Sequence, residues 1–257
     1  PMEVTANTVS FASGKGGVGK SVVTVNLAEA LAQDGHRVAL VDADVGQSDS
    51  PVLLNEAPDT TVLDTVDTRR PAHAARHETA RGLTLVQAAR RPHQRPRIDA
   101  SALYAALDDV LERLRDDPDH VLIDAPAGTD GPVRWALDRA DLGVLVVVGE
   151  PTAVADAYRL AKLLWTADPE YPLGMVVNFA DDEADAHSVA ERFGAITQRF
   201  VDQQPPLLGW VPFARSVRRS VSEQTPVVRS TGPAQSAFTT LAERVVHEPY
   251  AAAPALS

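Results

Sequence analysis

Short, continuously apolar runs alternate along this chain with longer segments whose apolar residues recur at helical spacing. The apolar runs have the length and content of buried strands and lie at residues 8–13, 37–41, 83–88, 120–123, 142–148, 173–177 and 207–211. The segments with helical spacing lie at residues 20–33, 100–114, 153–164, 184–200 and 234–246. This alternation predicts an α/β fold in three layers, with a mostly parallel central sheet and helices on both of its faces.

The length and composition fit one domain of this kind. The chain has 257 residues, of which 44% are hydrophobic, and it contains no repeat and no linker-like segment. We therefore expect a single domain over residues 1–247 and a flexible tail over residues 248–257. The chain has no cysteine, which excludes a disulfide framework, a cysteine-bound metal or iron–sulfur site and a catalytic thiol.

The charge balance bears on location and partners. The formal net charge is −11, and an acidic protein is disfavoured from binding DNA or anionic lipid non-specifically. No apolar run approaches the ~20 residues that a membrane-spanning helix requires. These features predict a cytoplasmic protein.

Small or charged polar residues follow four of the predicted strands. The residues at these ends are Gly14, Lys15, Asp42, Asp44, Asp124 and Asn178. Ligands of doubly wound sheets bind beyond the carboxyl ends of the strands. We therefore expect these four ends to converge on one site.

The first of these ends opens a glycine-rich motif. Residues 14–21 read GKGGVGKS and fit the pattern G-x-x-x-x-G-K-[ST], between a predicted strand and a predicted helix. In this pattern the backbone N–H groups surround phosphate oxygens, the lysine (Lys20) reaches the β- and γ-phosphates, and the hydroxyl (Ser21) ligates Mg²⁺. The chain has only three lysines, and two of them, Lys15 and Lys20, lie in this loop. The motif predicts a nucleotide site.

The loop and the segments at the other strand ends resemble the MinD/ParA class of P-loop ATPases. KGGVGKS at residues 15–21 is similar to the deviant Walker A motif of that class, in which a second lysine opens the loop. Further segments are similar in the same order: VDADVG at 41–46, VLIDAPAG at 121–128, EPTAVADAYRLAKLL at 150–164, VVN at 176–178 and LGWVPFARSVRRSVSEQTPVV at 208–228. The pattern is most similar to MinD and its flagellar-number relative FlhG. The resemblance implies a P-loop NTPase fold and an ATPase that uses ATP and Mg²⁺.

The resemblance also implies catalytic roles. Lys15 would reach across an ATP-bound homodimer to the partner's phosphates, which is the role an arginine finger has in other enzymes of phosphoryl transfer. Lys20 would bind the phosphates within its own subunit, and Asp44 would orient the attacking water. Asp42 and Asp44, which follow a predicted strand, could instead only cap a turn.

Metal and nucleotide ligands follow from the same resemblance. Ser21, Asp42 and Asp124 would hold Mg²⁺, Asp124 through water. The residues expected to bind the nucleotide are Gly14, Gly16, Gly17, Val18, Gly19, Lys20, Ser21, Val22, Gly128, Asn178 and Pro212. Gly128 would donate its N–H near the γ-phosphate, Asn178 would bond adenine, and Val211, Pro212 and Phe213 would lie beside the base. Asn178 could also be a simple turn residue.

Three segments depart from the family pattern. Residues 47–51 read QSDSP where MinD-like proteins usually have an Asn-Leu pair, and Phe213 follows Pro212 where the family usually has an acidic residue. MinD and FlhG end in an amphipathic membrane-targeting helix, whereas residues 234–246 read here as a last core helix. We therefore expect no autonomous membrane binding.

Residues 69–97 form a basic segment with eight arginines and one acidic residue, Glu78. One interpretation is a solvated loop that pairs with the acidic remainder of the chain. The other is a contact for a partner protein, a nucleotide or a nucleic acid. A second, smaller cluster comprises Arg215, Arg218 and Arg219.

Two functions fit these features. The first is a switch in which ATP and Mg²⁺ drive homodimerisation and a protein activator or cargo stimulates slow hydrolysis, acting in spatial positioning of the division site, flagella or a similar assembly. The alternative is a ParA-type DNA-partitioning ATPase whose ATP dimer binds DNA non-specifically. A cluster carrier of the Mrp type is disfavoured because the chain has no cysteine.

Overall fold

The computed structural model describes residues 6–90, 100–115 and 117–247. The predicted tail at 248–257 lies outside these residues. The described chain forms one eight-stranded sheet. Its strands are β1 (Asn7–Ser13), β2 (Val38–Asp42), β3 (Arg76–Glu78), β4 (Leu83–Gln87), β5 (His120–Ala127), β6 (Leu142–Val147), β7 (Leu173–Ala180) and β8 (Leu207–Pro212). Their order is β3-β4-β2-β5-β1-β6-β7-β8, and every pairing is parallel except that of β3 with β4.

Helices cover both faces of the sheet. They are α1 (Lys20–Gln33), α2 (Ser50–Leu54), α3 (Val62–Thr68), α4 (Ala100–Leu114), α5 (Gly131–Leu137), α6 (Pro151–Ala167), α7 (Glu183–Val201), α8 (Arg215–Ser222) and α9 (Pro233–His247). Two short 3₁₀ segments, Ala72–Ala75 and Val227–Arg229, join them. The three-layer α/β fold predicted from the sequence is confirmed.

Two apolar layers hold the helices to the sheet. On one face, residues of α3 to α7 such as Leu107, Leu160 and Phe193 pack against the sheet. On the other face, residues of α1 and α9 such as Leu27 and Phe238 do so. The central strands are buried on both faces, which explains why they are continuously apolar rather than alternating.

Five short elements of the described residues were not predicted from the sequence. They are the strand β3 and the helices α2, α3, α5 and α8. Each has three to eight residues, so none shows a repeated helical period or a full apolar run. The predicted helix at 234–246 is α9, and Phe238, Leu241 and Val245 are buried in the core. Among the described helices, none is long and apolar enough to cross a membrane.

Candidate nucleotide-binding site

The loop between β1 and α1 has the backbone that its glycines predict. Gly17 and Gly19 have φ angles of 81° and 82°, in the left-handed region that favours glycine. Gly19 directly precedes α1, and no side chain of the described residues caps the first turn of that helix. The N–H groups at this end therefore remain available to an anion.

Two further contacts explain why glycine is needed in this loop. A Cβ built at Gly14 would lie 2.2 Å from the carbonyl carbon and oxygen of Asp156 in α6. A Cβ at Gly19 would lie 2.3 Å from the amide nitrogen of Asn178. The loop is thus packed against α6 at its start and against the end of β7 at its close.

A cavity of about 420 Å³ opens beside the loop. It is lined by Ser13, Gly16, Gly17, Gly19, Lys20, Ser21, Val22, Asp44, Gln47, Asp49, Val52, Leu53, Ala127, Phe179 and Val221. Seven of the predicted site residues are in this set. Two of the other predicted site residues contact the lining: Asp124 pairs with Lys20, and Asp42 accepts from the Asp44 N–H. The predicted residues that do not line the cavity are Gly14, Lys15, Val18, Gly128, Asn178, Pro212, Asp42 and Asp124.

Lys20 and Asp124 form a buried ion pair at the inner end of the loop. The side chains of Lys20 and Asp124 are only 7% and 1% exposed. Lys20 Nζ also lies 3.4 Å from Ser21 Oγ. The strand register explains the position of Asp124, because β5 lies between β1 and β2 and Asp124 is the direct partner of Asp42 across the sheet.

Two serines hold the paired carboxylates. Ser48 Oγ donates to Asp42 Oδ2 at 2.9 Å, and the Ser50 backbone N–H donates to the same oxygen at 3.0 Å. Ser50 Oγ lies 3.3 Å from Asp124 Oδ2 as a donor. Gln87 Nε2 donates to Ser48 Oγ at 3.0 Å, so the network continues to the end of β4.

Burial controls the charge of Asp42. Loss of solvation, reinforced by the negative charge of Asp124, raises the pKa of Asp42 to about 7. The hydrogen bonds from Ser50 and Ser48 and the charge of Lys20 oppose this shift. Two adjacent buried carboxylates that share one cation would both be stabilised by a further positive charge.

Asp44 is one of the residues that line the cavity. Its Oδ1 accepts from the backbone N–H groups of Gly46 and Gln47, at 2.9 and 2.8 Å. The Asp44 N–H donates to Asp42 Oδ1 at 3.1 Å, which links the two acidic residues. Asp44 therefore closes a turn and also lines the cavity, so the two interpretations of this residue are compatible.

Lys15 lies outside the cavity at the opposite end of the loop from Lys20. Its Nζ is 3.4 Å from Glu150 Oε2 and 3.4 Å from Thr152 Oγ1 at the start of α6. The side chain of Lys15 is 42% exposed. The two lysines of the loop therefore face different surroundings.

Asn178, Pro212 and Gly128 lie around the same site. Asn178 Nδ2 donates to the carbonyl of Val18 at 2.7 Å, and its buried Oδ1 has no partner among the described residues. Pro212 is half-buried at the end of β8. The Gly128 N–H donates to the Ser13 carbonyl at 2.8 Å, so a contact with a phosphate would require this bond to open.

The structure adds residues that the sequence reading missed. Phe179 and Val221 line the cavity, and Ser48 and Ser50 bind the carboxylates. The unusual QSDSP segment and the aromatic residue after Asn178 were the available signals. Neither could be assigned a contact without the fold.

The donor set fits Mg²⁺ and a nucleotide. Ser21, Asp42 and Asp124 offer only hydroxyl and carboxylate oxygens, which suit a hard cation that retains several waters. The glycine loop and the start of α1 suit phosphate. The orphaned Oδ1 of Asn178 suits an N–H donor of a base. When bound, the cation would supply charge neutralisation at the phosphates.

The described part of the basic segment is partly paired. Arg76 bonds Asp117, and Arg90 donates to the carbonyls of Pro58 and Asp59. His77 lies 2.9 Å from Glu56. Arg76 and His77 thus contact acidic residues, whereas Arg90 contacts backbone carbonyls, and the segment includes the strands β3 and β4 rather than a single loop. Arg91, Arg95 and Arg97 lie outside the described residues.

The comparisons with known proteins bear directly on this geometry. A family model described as "ParA: NUBPL iron-transfer P-loop NTPase" matches residues 4–246. The chain belongs to this family. This membership confirms the MinD/ParA class that the sequence motifs predicted. The antiactivator FleN of Pseudomonas aeruginosa is 32% identical over 99% of this chain and 90% of its own length.

Solved structures extend the family likeness to the whole fold. The MinD chain in the MinC:MinD cell division protein complex of Aquifex aeolicus matches with a TM-score of 0.77 and 25% identity, over 95% of this chain and 97% of that one. The septum site-determining protein MinD of Pyrococcus horikoshii, complexed with Mg-ADP, matches with a TM-score of 0.73 and 25% identity, over 93% and 96%. The fold of this ParA-family chain is therefore similar to that of solved MinD structures over nearly its whole length.

Proposed function

We propose that this chain is an ATP- and Mg²⁺-dependent dimerisation switch that positions a cellular assembly. ATP binding brings two copies together, a protein partner recognises the dimer, and slow, partner-stimulated hydrolysis separates it. The observation that carries the proposal is the division between the two lysines of the loop. Lys20 is buried against Asp124, whereas Lys15 is 42% exposed and has only a surface contact with Glu150, so it can turn to a second subunit at little cost.

In this proposal, each group of site residues has a separate role in binding or hydrolysis. The loop N–H groups and Lys20 bind the phosphates, and Ser21, Asp42 and Asp124 hold the cation. Asp44 orients a water for attack on the γ-phosphorus, as the bond to the leaving ADP oxygen breaks. Lys15 of one copy stabilises the negative charge on the phosphates of the other.

Several findings support this proposal. A solved MinD relative holds Mg-ADP, and another is in complex with MinC. The continuous sheet also supports the proposal that residues 1–247 fold as one domain. The choice of positioning as the cellular role follows the names of two relatives, the antiactivator FleN and a septum site-determining protein MinD.

The first experiment is the mass in solution by light scattering, with ADP and with ATP and Mg²⁺. Asp44→Ala is used to prevent turnover. A mass that doubles only with ATP is the expected result, because the variant binds ATP and does not hydrolyse it. An Asp44→Ala protein that binds ATP and stays a monomer would contradict the switch.

The DNA-partitioning alternative has one observation in its favour. Arg215, Arg218 and Arg219 are exposed together on α8, and only Arg219 has a carboxylate partner, Glu223, among the described residues. The ATP dimer should be titrated with DNA at ~50 and ~200 mM salt, because phosphate contacts weaken steeply over this range. Binding that appears only with ATP and vanishes at the higher salt would favour the alternative.

A further inference from the structure

Three strand ends bring a row of polar side chains together beside the nucleotide cavity. The strands β4, β2 and β5 are neighbours in the sheet, and Gln87 and Asp124 are the register partners of Asp42 on its two sides. Residues in register on neighbouring parallel strands point to the same face of the sheet. Gln87, Asp42 and Asp124 therefore form one row on one face, and all three are buried.

Two buried serines after β2 bridge this row. Ser48 Oγ donates to Asp42 Oδ2 at 2.9 Å and accepts from Gln87 Nε2 at 3.0 Å. Ser50 joins the other two members, since its N–H donates to Asp42 Oδ2 at 3.0 Å and its Oγ donates to Asp124 Oδ2 at 3.3 Å. Each serine thus connects two neighbouring strand ends. We call Ser48 and Ser50 the serine clamp.

The serine clamp leaves part of each carboxylate open. Among the described residues, Asp42 accepts two hydrogen bonds at Oδ2 from the clamp and one at Oδ1 from the Asp44 N–H. Asp124 accepts one from Lys20 and one from Ser50. A carboxylate has about four acceptor positions, so roughly one remains on Asp42 and roughly two remain on Asp124. These positions suit a hydrated cation, whose waters donate hydrogen bonds.

The clamp also holds the segment that borders the cavity. Asp44 lies between Asp42 and the clamp along the chain, and its N–H is bonded to Asp42 at 3.1 Å. Ser50 is the first residue of α2, which contributes Val52 and Leu53 to the cavity lining. Loss of the clamp would therefore loosen the two buried carboxylates and one wall of the cavity together.

The clamp acts on the carboxylates rather than on a ligand. Neither Ser48 nor Ser50 is among the residues that line the cavity. Both belong to the QSDSP segment, in which this chain departs from the pattern of MinD-like proteins. Groups that hydrogen-bond the ligands of a metal fix their orientation, and their loss typically costs about 10- to 100-fold in metal affinity or activity.

We propose that the serine clamp positions the Asp42 and Asp124 carboxylates for the Mg²⁺ of the bound nucleotide, and that Gln87 holds the clamp in place. This inference rests on the proposed function, because the cation binds together with the phosphates. It assigns a role to a segment that the family motif does not explain. Ser48, Ser50 and Gln87 are positioning residues, since they act through the two carboxylates.

The test measures ADP affinity by titration calorimetry, once with Mg²⁺ and once with EDTA in its place. The ratio of the two affinities is the gain that the cation confers. In Ser48→Ala this gain should fall about 10-fold, or vanish where the wild-type gain is smaller than that, because Asp42 loses a hydrogen bond that orients it. ADP affinity in EDTA should stay within about 2-fold of wild type, since the clamp does not line the cavity.

Two further variants should have smaller effects. Ser50→Ala keeps the backbone N–H bond to Asp42 and loses only the 3.3 Å contact with Asp124. Gln87→Met keeps most of the side-chain volume and removes the donor to Ser48. Each should lower the gain from Mg²⁺ by about 2- to 10-fold, as expected for one neutral hydrogen bond.

Two controls separate positioning from a general loss of structure. Ser10→Ala removes a buried hydroxyl of β1 that has no partner among the described residues, so the gain from Mg²⁺ should be unchanged. Ser48→Thr retains the hydroxyl and should keep most of the gain. A merely structural role for Ser48 would lower the thermal midpoint and reduce ADP affinity equally with Mg²⁺ and with EDTA. That result in Ser48→Ala would overturn the proposal. If Ser48→Ala does not fold, Gln87→Met decides, and a full wild-type gain in that variant would overturn it.

Failure of the inference and failure of the proposed function give different results. If wild-type ADP binding is the same with Mg²⁺ and with EDTA, the cation site of the proposed function is wrong, and the role of the clamp fails with it. If the wild-type chain shows the gain and Ser48→Ala retains it in full, only the role of the clamp is wrong.

Discussion

The two ends of the glycine loop place the same side chain in opposite environments. Lys20, at the inner end, is 7% exposed and pairs with a carboxylate that is 1% exposed. Lys15, at the outer end, is 42% exposed and lies 3.4 Å from a glutamate that is 68% exposed. A buried charge is costly without its partner, whereas an exposed pair contributes little to stability.

Because of this difference, Lys20 is expected to affect both stability and ligand binding, whereas Lys15 is expected to affect function alone. The inner lysine is bound into a network of Asp124, Ser50 and Asp42, so its removal affects both the fold and the ligand. The outer lysine contributes almost nothing to the isolated chain. Its effect should therefore be visible only when a nucleotide and a second copy are present.

The largest effect is expected from Lys20→Ala. The phosphates lose their principal side-chain cation, and ATP affinity should fall by about 10²- to 10³-fold, as for truncation of a buried charge partner. Titration calorimetry with ATP and Mg²⁺ measures this. Lys162→Ala is the matched control, because Lys162 is an exposed lysine of α6 and is the third lysine of the chain.

The same variant also affects stability, so its fold must be checked. Asp124 would remain buried without its cation, and thermal unfolding should report a lower midpoint. Lys20→Met keeps much of the side-chain volume and serves as the second variant. Wild-type ATP affinity in either folded variant would contradict the site.

The next effect concerns the packing of the outer end. In Gly14→Ala the new methyl group would lie 2.2 Å from the Asp156 carbonyl, so α6 must move. We expect a loss of about 3 kcal/mol of unfolding free energy, at the upper end of the cost of overpacking. Urea denaturation measures it. Gly16→Ala is the control, because its methyl group would meet Ala127 Cβ at an ordinary 4.0 Å. Equal stability of the two variants would show that the loop is not held against α6.

The residues around the loop also show which parts of the site could be predicted from the sequence. Lys20, Ser21 and Asp124 belong to a local motif and to a strand end, and parallel strands must bring such ends together. The alternation of strands and helices was sufficient to predict the sheet. The serines at 48 and 50 could not be assigned, because their contacts depend on a turn after β2 that folds back over two carboxylates.

Phe179 shows a second limit, because it has a φ angle of 59° and is the extra residue of a bulge at the end of β7. Nothing in a run of apolar residues indicates that one of them enters a left-handed bulge, since the register of β7 with β8 is a tertiary property. Short elements such as β3 and α8 were missed for a related reason. They are stabilised by the neighbouring elements rather than by a periodic pattern of their own.

A smaller effect on binding, with a clear effect on turnover, is expected from Lys15→Ala. ATP affinity of the single chain should stay within about 3-fold of wild type, because Lys15 is not among the cavity-lining residues. ATP-dependent dimerisation should be weakened, and hydrolysis should fall about 10-fold or more, since charge supplied in trans to the phosphates is lost. Sedimentation and phosphate release measure the two effects. A variant that dimerises and hydrolyses normally would show that Lys15 acts within its own subunit or not at all.

The smallest effect is expected from Glu150→Gln, which removes the carboxylate beside Lys15. An exposed pair of this kind contributes about 0–1 kcal/mol, so urea denaturation should detect almost no change, and less still at high salt. If Lys15 serves a second copy, freeing it should leave the ATP dimer unchanged or slightly tighter. A clear loss of stability would mean that the outer end is as tightly built as the inner end. In that case the difference in burial between the two lysines would no longer indicate a difference in role.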